Sequence, residues 1–209
     1  MRHLSPEWQS NRKRMFQKVD DLKETAKIKK NEVWLHLGCG AKHIYEGFIN
    51  VDKYTKDDRI TNFDMAELPY DKNSVDLIYS SHALEHLNYR TAMAAIKNWA
   101  DVLKPGGELY LAIPDLEEVM KIMVNPSVGM HAKWRWFIYH IYGYQADPDV
   151  HSPDDLSLDI PDDPGQHHRC GFSKELIEHL LRDAGFRIKV LRNYDGWNIP
   201  SIWVEASKT

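Results

Sequence analysis

The sequence has few cysteines and no long apolar run. Its two cysteines, Cys39 and Cys170, cannot build a disulfide framework, so we expect both to be reduced thiols. No apolar stretch approaches the roughly 18 residues that span a bilayer, so we expect no membrane span and no membrane partner. The first residues, from Met1 to Pro6, lack the apolar core of a signal peptide, which predicts a cytoplasmic protein.

Charge is unevenly distributed along the chain. The net charge is −4 over 209 residues. Residues 1–30 hold nine Lys or Arg against four Asp or Glu, which is +5 and leaves −9 for the remainder. The negative charge of residues 31–209 disfavours nucleic acid as a partner. We predict a polar N-terminal helix over 1–30, either solvated against the sheet edge or a basic arm for an anionic partner, and one domain over 31–209.

A short apolar stretch, Val33 to Leu37, ends at Gly38 and Gly40. This pattern predicts a buried strand that enters a tight turn, where glycine permits positive φ angles and lets backbone amides face a ligand. The dinucleotide fingerprint needs a third glycine where this chain has His43, so that fingerprint is absent. A second predicted strand ends at Asp52, which is suitably placed to accept ribose hydroxyls. The alternative is a plain turn with a surface aspartate.

Further segments follow the glycine turn in a particular order. They are Asn62-Phe63-Asp64-Met65, then Ser74 to His82, then Leu103-Lys104-Pro105-Gly106-Gly107, then Glu108 to Pro114. This succession resembles that of class I S-adenosylmethionine-dependent methyltransferases, from about residue 33 to 115 and more loosely to 186. The resemblance implies an α/β fold, with a Rossmann-like seven-stranded, mostly parallel sheet, an antiparallel C-terminal hairpin and helices on both faces.

The resemblance also implies an activity, the transfer of a methyl group from S-adenosylmethionine, leaving S-adenosylhomocysteine, to an acceptor held in line. The cofactor-binding residues that it implies are Gly38, Cys39, Gly40, Asp52, Asp64, Met65, Ser81 and His82. Asp64 would accept from the adenine amino group, and the Met65 amide would meet the ring. Ser81 and His82 would lie beside the methionine portion. A turn cap is the alternative role for Asp64.

Two features depart from the general family. Only seven residues separate Gly40 from Phe48, too few for the usual helical crossover between parallel strands, so we expect a turn there. His36 stands where many relatives place an acid that reaches the cofactor's amino group, so that contact must come from elsewhere or through water. A subgroup with Leu-Gly-Cys-Gly followed closely by Gly-Phe-Ile-Asn-Val-Asp is similar here. Its association with sugar or polysaccharide modification implies a small-molecule or glycan acceptor.

The segment His82-Ala83-Leu84-Glu85-His86 matches the H-x-x-E-H pattern of zinc peptidases. That pattern belongs to a long helix with a distant third ligand, whereas here it follows a buried strand directly. We therefore expect the match to be coincidental and predict no metal site. Two alternatives to a methyltransferase stay open: a metallohydrolase using His82, Glu85 and His86, and a non-catalytic module that keeps the fold as a binding surface.

Residues 125–172 form an insertion that we expect to select the acceptor. An apolar stripe from Trp134 to Tyr142 predicts a helix, and residues 145–166 predict an acidic, proline-containing loop. Paired histidines close the insertion, and their roles as base, metal ligand or salt-bridge partner stay open, although with His151 their spacing is not that of a known zinc site. A neutral histidine could remove a proton from a hydroxyl or amine acceptor. The candidates for this catalytic role are His82, His86, His167 and His168.

Local signals predict where the other elements begin and end. Three helices have expected caps: Asn88 or Thr91 for the first, Asp115 with Glu118 as a capping box for the second, and Ser173 for the last. Pro105-Gly106-Gly107 is expected to stop the first of these helices and turn the chain into a strand. Residues 186–192 and 202–206 alternate in the manner of a β-hairpin.

Overall fold

The computed structural model describes residues 32–41, 43–130, 133, 141–143, 167–196 and 199–209. The predicted helix over 1–30, the acidic loop over 145–166 and His151 lie outside these residues, as does most of the apolar stripe between Trp134 and Tyr142. None of the helices in the described part of the chain is both long enough and apolar enough to cross a membrane.

Seven strands form a single sheet, which confirms the predicted fold. They are β1 (Trp34–Leu37), β2 (Ile49–Val51), β3 (Ile60–Thr61), β4 (Val75–Ser81), β5 (Leu103–Pro114), β6 (Phe186–Gly196) and β7 (Ile199–Lys208). Their order across the sheet is β3-β2-β1-β4-β5-β7-β6. The first five strands are parallel, whereas β7 is antiparallel to both β5 and β6. The predicted hairpin is present, with strands longer than expected.

The two faces of the sheet bury different side chains because neighbouring residues of a strand point to opposite sides. On one face, aliphatic residues of the central strands pack with Trp99 and Ile177, which belong to helices α1 (Tyr89–Val102) and α3 (Lys174–Asp183). The other face carries an aromatic cluster that includes Trp34, Tyr79 and Trp203. The first face holds most of the buried aliphatic core.

Helix ends follow most of the local signals. Asn88 caps α1, and its side-chain oxygen accepts from the Thr91 amide at 3.0 Å, so Thr91 is not the cap. Ser173 caps α3 as predicted. Asp115 caps α2 (Leu116–Val124), but its own amide donates to the Pro200 carbonyl, so Glu118 does not complete the predicted capping box.

Strand β5 starts earlier than predicted. Helix α1 ends at Val102 and the strand begins at Leu103, before the Pro105-Gly106-Gly107 stop signal. The reason is tertiary: Leu103 pairs with Val75 of β4, and a register shift then accommodates the glycines within the strand. Sheet pairing therefore outweighs the local turn signal at this point.

The connection from β1 to β2 contains no helix among its described residues, as the short spacing predicts. Asn50 holds this connection, because its side-chain oxygen accepts from the Tyr45 amide at 2.9 Å and its side-chain nitrogen donates to the Tyr45 carbonyl at 2.9 Å. The Tyr45 ring stacks on His36, with centroids 4.6 Å apart and an interplanar angle of 8°. His36 is thus part of a buried aromatic stack.

Trp99 links the core to Met65, which lines a cavity at the end of the sheet. Its indole N–H donates to the Met65 carbonyl at 2.7 Å, and its side chain is fully buried. We expect Trp99→Phe to lower the free energy of unfolding by about 1.5 kcal/mol, because the carbonyl loses its donor. Thermal denaturation measures this, with a fall in Tm of about 4 °C.

Trp34→Phe is the matched control for this substitution. The indole of Trp34 donates to the Glu32 carboxylate at 2.8 Å, and Glu32 is only half-buried. Water can replace that donor, so the loss should be smaller than for Trp99→Phe. Equal losses in the two variants would contradict a special role for the Met65 carbonyl bond.

Candidate functional site

One cavity opens where β1, β2 and β4 end. Its volume is about 660 Å³, within the range of small-molecule pockets. Ligands of open parallel sheets bind beyond the carboxyl ends of the strands, and residues distant in sequence meet there. All eight predicted cofactor-binding residues line the cavity: Gly38, Cys39, Gly40, Asp52, Asp64, Met65, Ser81 and His82. Three of the four candidate bases also line it, namely His82, His86 and His168, and His167 is not among its described lining residues.

The glycine turn has the predicted conformation but different hydrogen bonds. Gly38 and Gly40 have φ angles of 68° and 55°. The amides of Gly38 and Cys39 donate to the Val51 carbonyl at 2.9 and 3.1 Å, and the Gly40 amide donates to the Asp52 carboxylate at 3.0 Å. The expectation that these amides face a ligand is therefore wrong, because the neighbouring strand end uses them.

The two glycines also differ in what surrounds them. A Cβ atom on Gly38 would overlap the Cβ of Ala83, whereas a Cβ atom on Gly40 would have no atom within 4 Å. Gly38 thus permits a close approach within the protein, whereas Gly40 lines the cavity and has open space beside it. Of the two glycines, only Gly40 leaves room that a ligand could occupy.

Asp52 lies in the cavity with its carboxylate held by backbone. One carboxylate oxygen accepts from the amides of Tyr54 and Thr55 at 2.9 and 2.8 Å, and the other accepts from Gly40. Burial alone would raise the pKa of Asp52, but these N–H donors outweigh burial and lower it. Asp52 is therefore an ionised acceptor in a fixed position at neutral pH.

Asp64 acts as a turn cap, the role that was the alternative to adenine binding. One carboxylate oxygen accepts from the Ala66 amide at 3.0 Å, which is a turn cap, and the other lies 2.7 Å from the Lys53 ammonium. Burial alone would raise the pKa of Asp64, but the Lys53 and Ala66 donors outweigh it and lower the pKa. Asp64 still lines the cavity, so the cap and a ligand contact are compatible.

His82 occupies an unusual backbone position at the end of β4. Its φ angle is 51°, a left-handed conformation that is uncommon for residues other than glycine. Its amide donates to the Ala112 carbonyl at 2.9 Å, and its Nε2 atom lies 3.3 Å from the Ser201 hydroxyl. Its Nδ1 atom lies 3.5 Å from the Glu85 carboxylate. The ring is thus tied to β7 on one side and to Glu85 on the other.

Glu85 forms the centre of what we call the Glu85 cluster, which consists of His82, Glu85, His86 and His168. The Glu85 side chain is buried, and His168 Nε2 lies 3.8 Å from its carboxylate. The backbone joins the same segments, because the amides of Arg169 and Cys170 donate to the Glu85 carbonyl at 2.8 and 3.2 Å. Burial alone would raise the pKa of Glu85, but the surrounding imidazoles outweigh it and hold that pKa well below its usual range.

The H-x-x-E-H segment does not have the geometry of a peptidase helix. Only Leu84–His86 are helical, in a single 3-10 turn, so His82 and His86 are not adjacent on one face of an α-helix. The partner of Glu85 from outside this segment is His168, which no local pattern could identify because the insertion brings it there. The metallohydrolase alternative therefore lacks the element that its pattern requires.

Both cysteines are free thiols, as expected. Burial, with a contribution from Asp52, raises the pKa of Cys39 to about 12. Native Cys39 should therefore stay protonated at pH 8 and react with iodoacetamide at least about 100-fold more slowly than in urea-unfolded protein. Mass spectrometry of the Cys39 peptide measures this rate. Rapid labelling of the native chain would show that the glycine turn opens far more readily than its hydrogen bonds suggest.

Comparison with known proteins finds a family match over part of the chain and solved structures with the same fold. A family model described as a methyltransferase domain matches residues 35–111. No curated protein matches significantly in sequence. A S-adenosylmethionine-dependent methyltransferase from Methanosarcina mazei is similar in structure, with 16% identity, coverage of 86% of this chain and 93% of that chain, and a TM-score of 0.58.

Two further solved structures share the fold. Magnesium protoporphyrin IX methyltransferase from Synechocystis, with bound S-adenosylhomocysteine, has 14% identity, coverage of 100% of this chain and 90% of its own, and a TM-score of 0.54. A putative methyltransferase in complex with the Trm112 methyltransferase activator of Haloferax volcanii has 15% identity, coverage of 86% and 82%, and a TM-score of 0.53. At these identities the likeness concerns the fold.

The matched segment runs from β1 into β5 and contains the glycine turn, Asp52, Asp64 and His82. Its strands form the sheet whose carboxyl ends enclose the cavity. Residues 35–111 thus match a methyltransferase domain, and the chain as a whole shares the fold of S-adenosylmethionine-dependent methyltransferases.

Proposed function

We propose that the protein transfers the methyl group of S-adenosylmethionine to a small-molecule or glycan acceptor. The observation that carries this proposal is one cavity lined by two chemically different groups of residues. The first group contains Asp52 and Gly40, and the second contains the imidazoles of His82, His86 and His168. A nucleoside suits the first group, and a polar acceptor suits the second.

The residues around Asp52 suit the cofactor in charge and in the space that they leave. The Asp52 carboxylate is ionised, and its three backbone donors use three of its roughly four acceptor sites, which leaves one site for a ribose hydroxyl. Gly40 leaves space beside it. We assign the adenine to Asp64 and Met65 and the methionine portion to Ser81 and His82, while Gly38 and Cys39 support the turn that shapes the cavity.

When bound, S-adenosylmethionine would supply a methyl group attached to its sulfonium sulfur, and transfer of that methyl group needs no covalent enzyme intermediate. The main task of the chain is then to hold the acceptor in line and to exclude water. An acceptor that carries a proton would meet the imidazoles of His82, His86 and His168, which are our candidates for removing it. His167 supports this group through its carbonyl, which lies 3.2 Å from His86 Nδ1.

Acceptor pools incubated with methyl-labelled S-adenosylmethionine test this proposal. We expect label to enter a glycan or small-molecule pool, and the net charge of −4 disfavours RNA as the acceptor. Label confined to RNA or protein would overturn the acceptor class. Failure of S-adenosylhomocysteine to bind in calorimetry would overturn the cofactor assignment and favour the non-catalytic module.

A further inference from the structure

The Glu85 carboxylate is buried, and histidines lie around it. Its side chain is 1% exposed, and neither of its oxygens completes a hydrogen bond with the described residues. A buried carboxylate is unfavourable unless it is paired with a cation or coordinates a metal. The imidazoles of His82 and His168, at 3.5 and 3.8 Å, can supply that charge when protonated, and imidazoles are equally suited to share a metal ion with the carboxylate.

Imidazole nitrogens surround this carboxylate at distances close to those of a metal shell. In tetrahedral zinc sites with bonds of about 2.0–2.1 Å, neighbouring ligand atoms lie about 3.3 Å apart. One Glu85 oxygen lies 3.5 Å from His82 Nδ1 and 3.8 Å from His168 Nε2. Glu85, His86 and His168 each offer a ligand atom, and these atoms all lie within 4.8 Å of one another. Closing the shell requires side-chain shifts of the order of an ångström.

The outer contacts of the histidines also suit metal binding. Metal-ligating histidines usually donate their second ring N–H to a carbonyl or another polar group, which fixes the tautomer. His86 Nδ1 lies 3.2 Å from the His167 carbonyl, which can only accept, so the lone pair of His86 is on Nε2. His82 has a comparable contact, since its Nε2 lies 3.3 Å from the Ser201 hydroxyl while Nδ1 approaches Glu85.

We propose that Glu85, His86 and His168, which line the cavity, bind a divalent transition metal of the Zn²⁺ type, with His82 next to the remaining coordination position. Two imidazoles and one carboxylate are a donor set that suits zinc. This site differs from the peptidase pattern, because Glu85 is a ligand and His168 comes from the insertion. Metal binding at this site does not require the cofactor. A ligand histidine cannot also act as a base, so an occupied site removes His86 and His168 from the candidate bases.

Calorimetry of the chelator-treated full chain with Zn²⁺ tests the site without any cofactor. We expect one Zn²⁺ per chain, with affinity reduced at least about 100-fold by Glu85→Gln or His168→Ala, since losing a ligand should cost at least as much as losing an outer-shell partner. His179→Ala is the matched control, because His179 is exposed on α3 and outside the cluster. That variant should bind Zn²⁺ as the unaltered protein does.

The visible absorption of bound Co²⁺ is a second readout. Substitution of a residue that has only a structural role would leave this absorption unchanged in a folded variant. Bound Co²⁺ should give the visible absorption of a low-symmetry, four-coordinate site, and His86→Ala should abolish it. Circular dichroism establishes which variants are folded, and if Glu85→Gln unfolds, His86→Ala and His168→Ala decide the matter. Absence of Zn²⁺ binding by the unaltered protein, or unchanged affinity in folded His168→Ala, would overturn the proposal.

Discussion

Asp52→Ala is expected to weaken the binding of S-adenosylhomocysteine by about 10-fold to 100-fold in isothermal titration calorimetry. A hydrogen bond to a charged group contributes about 1.5–3 kcal/mol, and the carboxylate has one acceptor site left for a ribose hydroxyl. The carboxylate is already fixed by the amides of Gly40, Tyr54 and Thr55, so binding requires no rotation of the side chain. Fixed acceptors give more affinity than mobile ones, because less conformational entropy is lost.

The sign of the pH dependence follows from the lowered pKa of Asp52. The carboxylate stays ionised above its ordinary value of 3.8, so its contribution to affinity should be constant from pH 5 to neutrality and decline only below that value. Asp57→Ala is the matched control, because Asp57 lies on the same loop and accepts from the Arg59 amide but does not line the cavity. Unchanged affinity in folded Asp52→Ala would contradict the ribose assignment.

Asp52→Ala also removes the acceptor of three amides, so its effect on binding must be separated from its effect on stability. Thermal denaturation of Asp52→Ala without ligand measures the second effect. Calorimetry is then performed well below the observed Tm, where the variant is folded. A variant that is folded and fails to bind isolates the ligand contact from the support of the turn.

The sheet was predictable because its signals are short-range. The apolar run before Gly38, the strand end at Asp52 and the alternation of the C-terminal hairpin each lie within a few residues, and the structure confirms them. The start of β5 was not predictable in the same way. Pairing of Leu103 with Val75 extends the strand through a local stop signal, and that pairing joins distant parts of the chain.

Contacts in the site were predictable only where both contacting residues belong to one short segment of the chain. Asp52 could be assigned from its place after the glycine turn, although the sequence did not show that the turn's own amides would be used by Val51 and Asp52. The Glu85 cluster could not be assembled from sequence. His86 and His167 are 81 positions apart, and the packing of residues 167–170 against the 3-10 turn brings them together.

Gly38→Ala is expected to lower the free energy of unfolding by about 3 kcal/mol or more. A left-handed φ costs a non-glycine residue about 1–2 kcal/mol, and forcing a methyl group into packed space costs about 1–3 kcal/mol. At Gly38 both costs apply, because φ is 68° and the new Cβ would overlap that of Ala83. Thermal denaturation should show a fall in Tm of about 9 °C.

Gly40→Ala separates the two costs on the same turn. Its φ of 55° carries a similar backbone cost, but its Cβ would have no atom within 4 Å, so the loss of stability should be about 1–2 kcal/mol. Because Gly40 lines the cavity and its added methyl group would occupy open space, this variant should lose S-adenosylhomocysteine affinity while remaining folded. Equal destabilisation of the two variants would show that Ala83 shifts to accommodate the methyl group added at Gly38. Unchanged affinity in Gly40→Ala would show that the cofactor does not approach the turn, since a close ligand cannot accommodate the extra carbon.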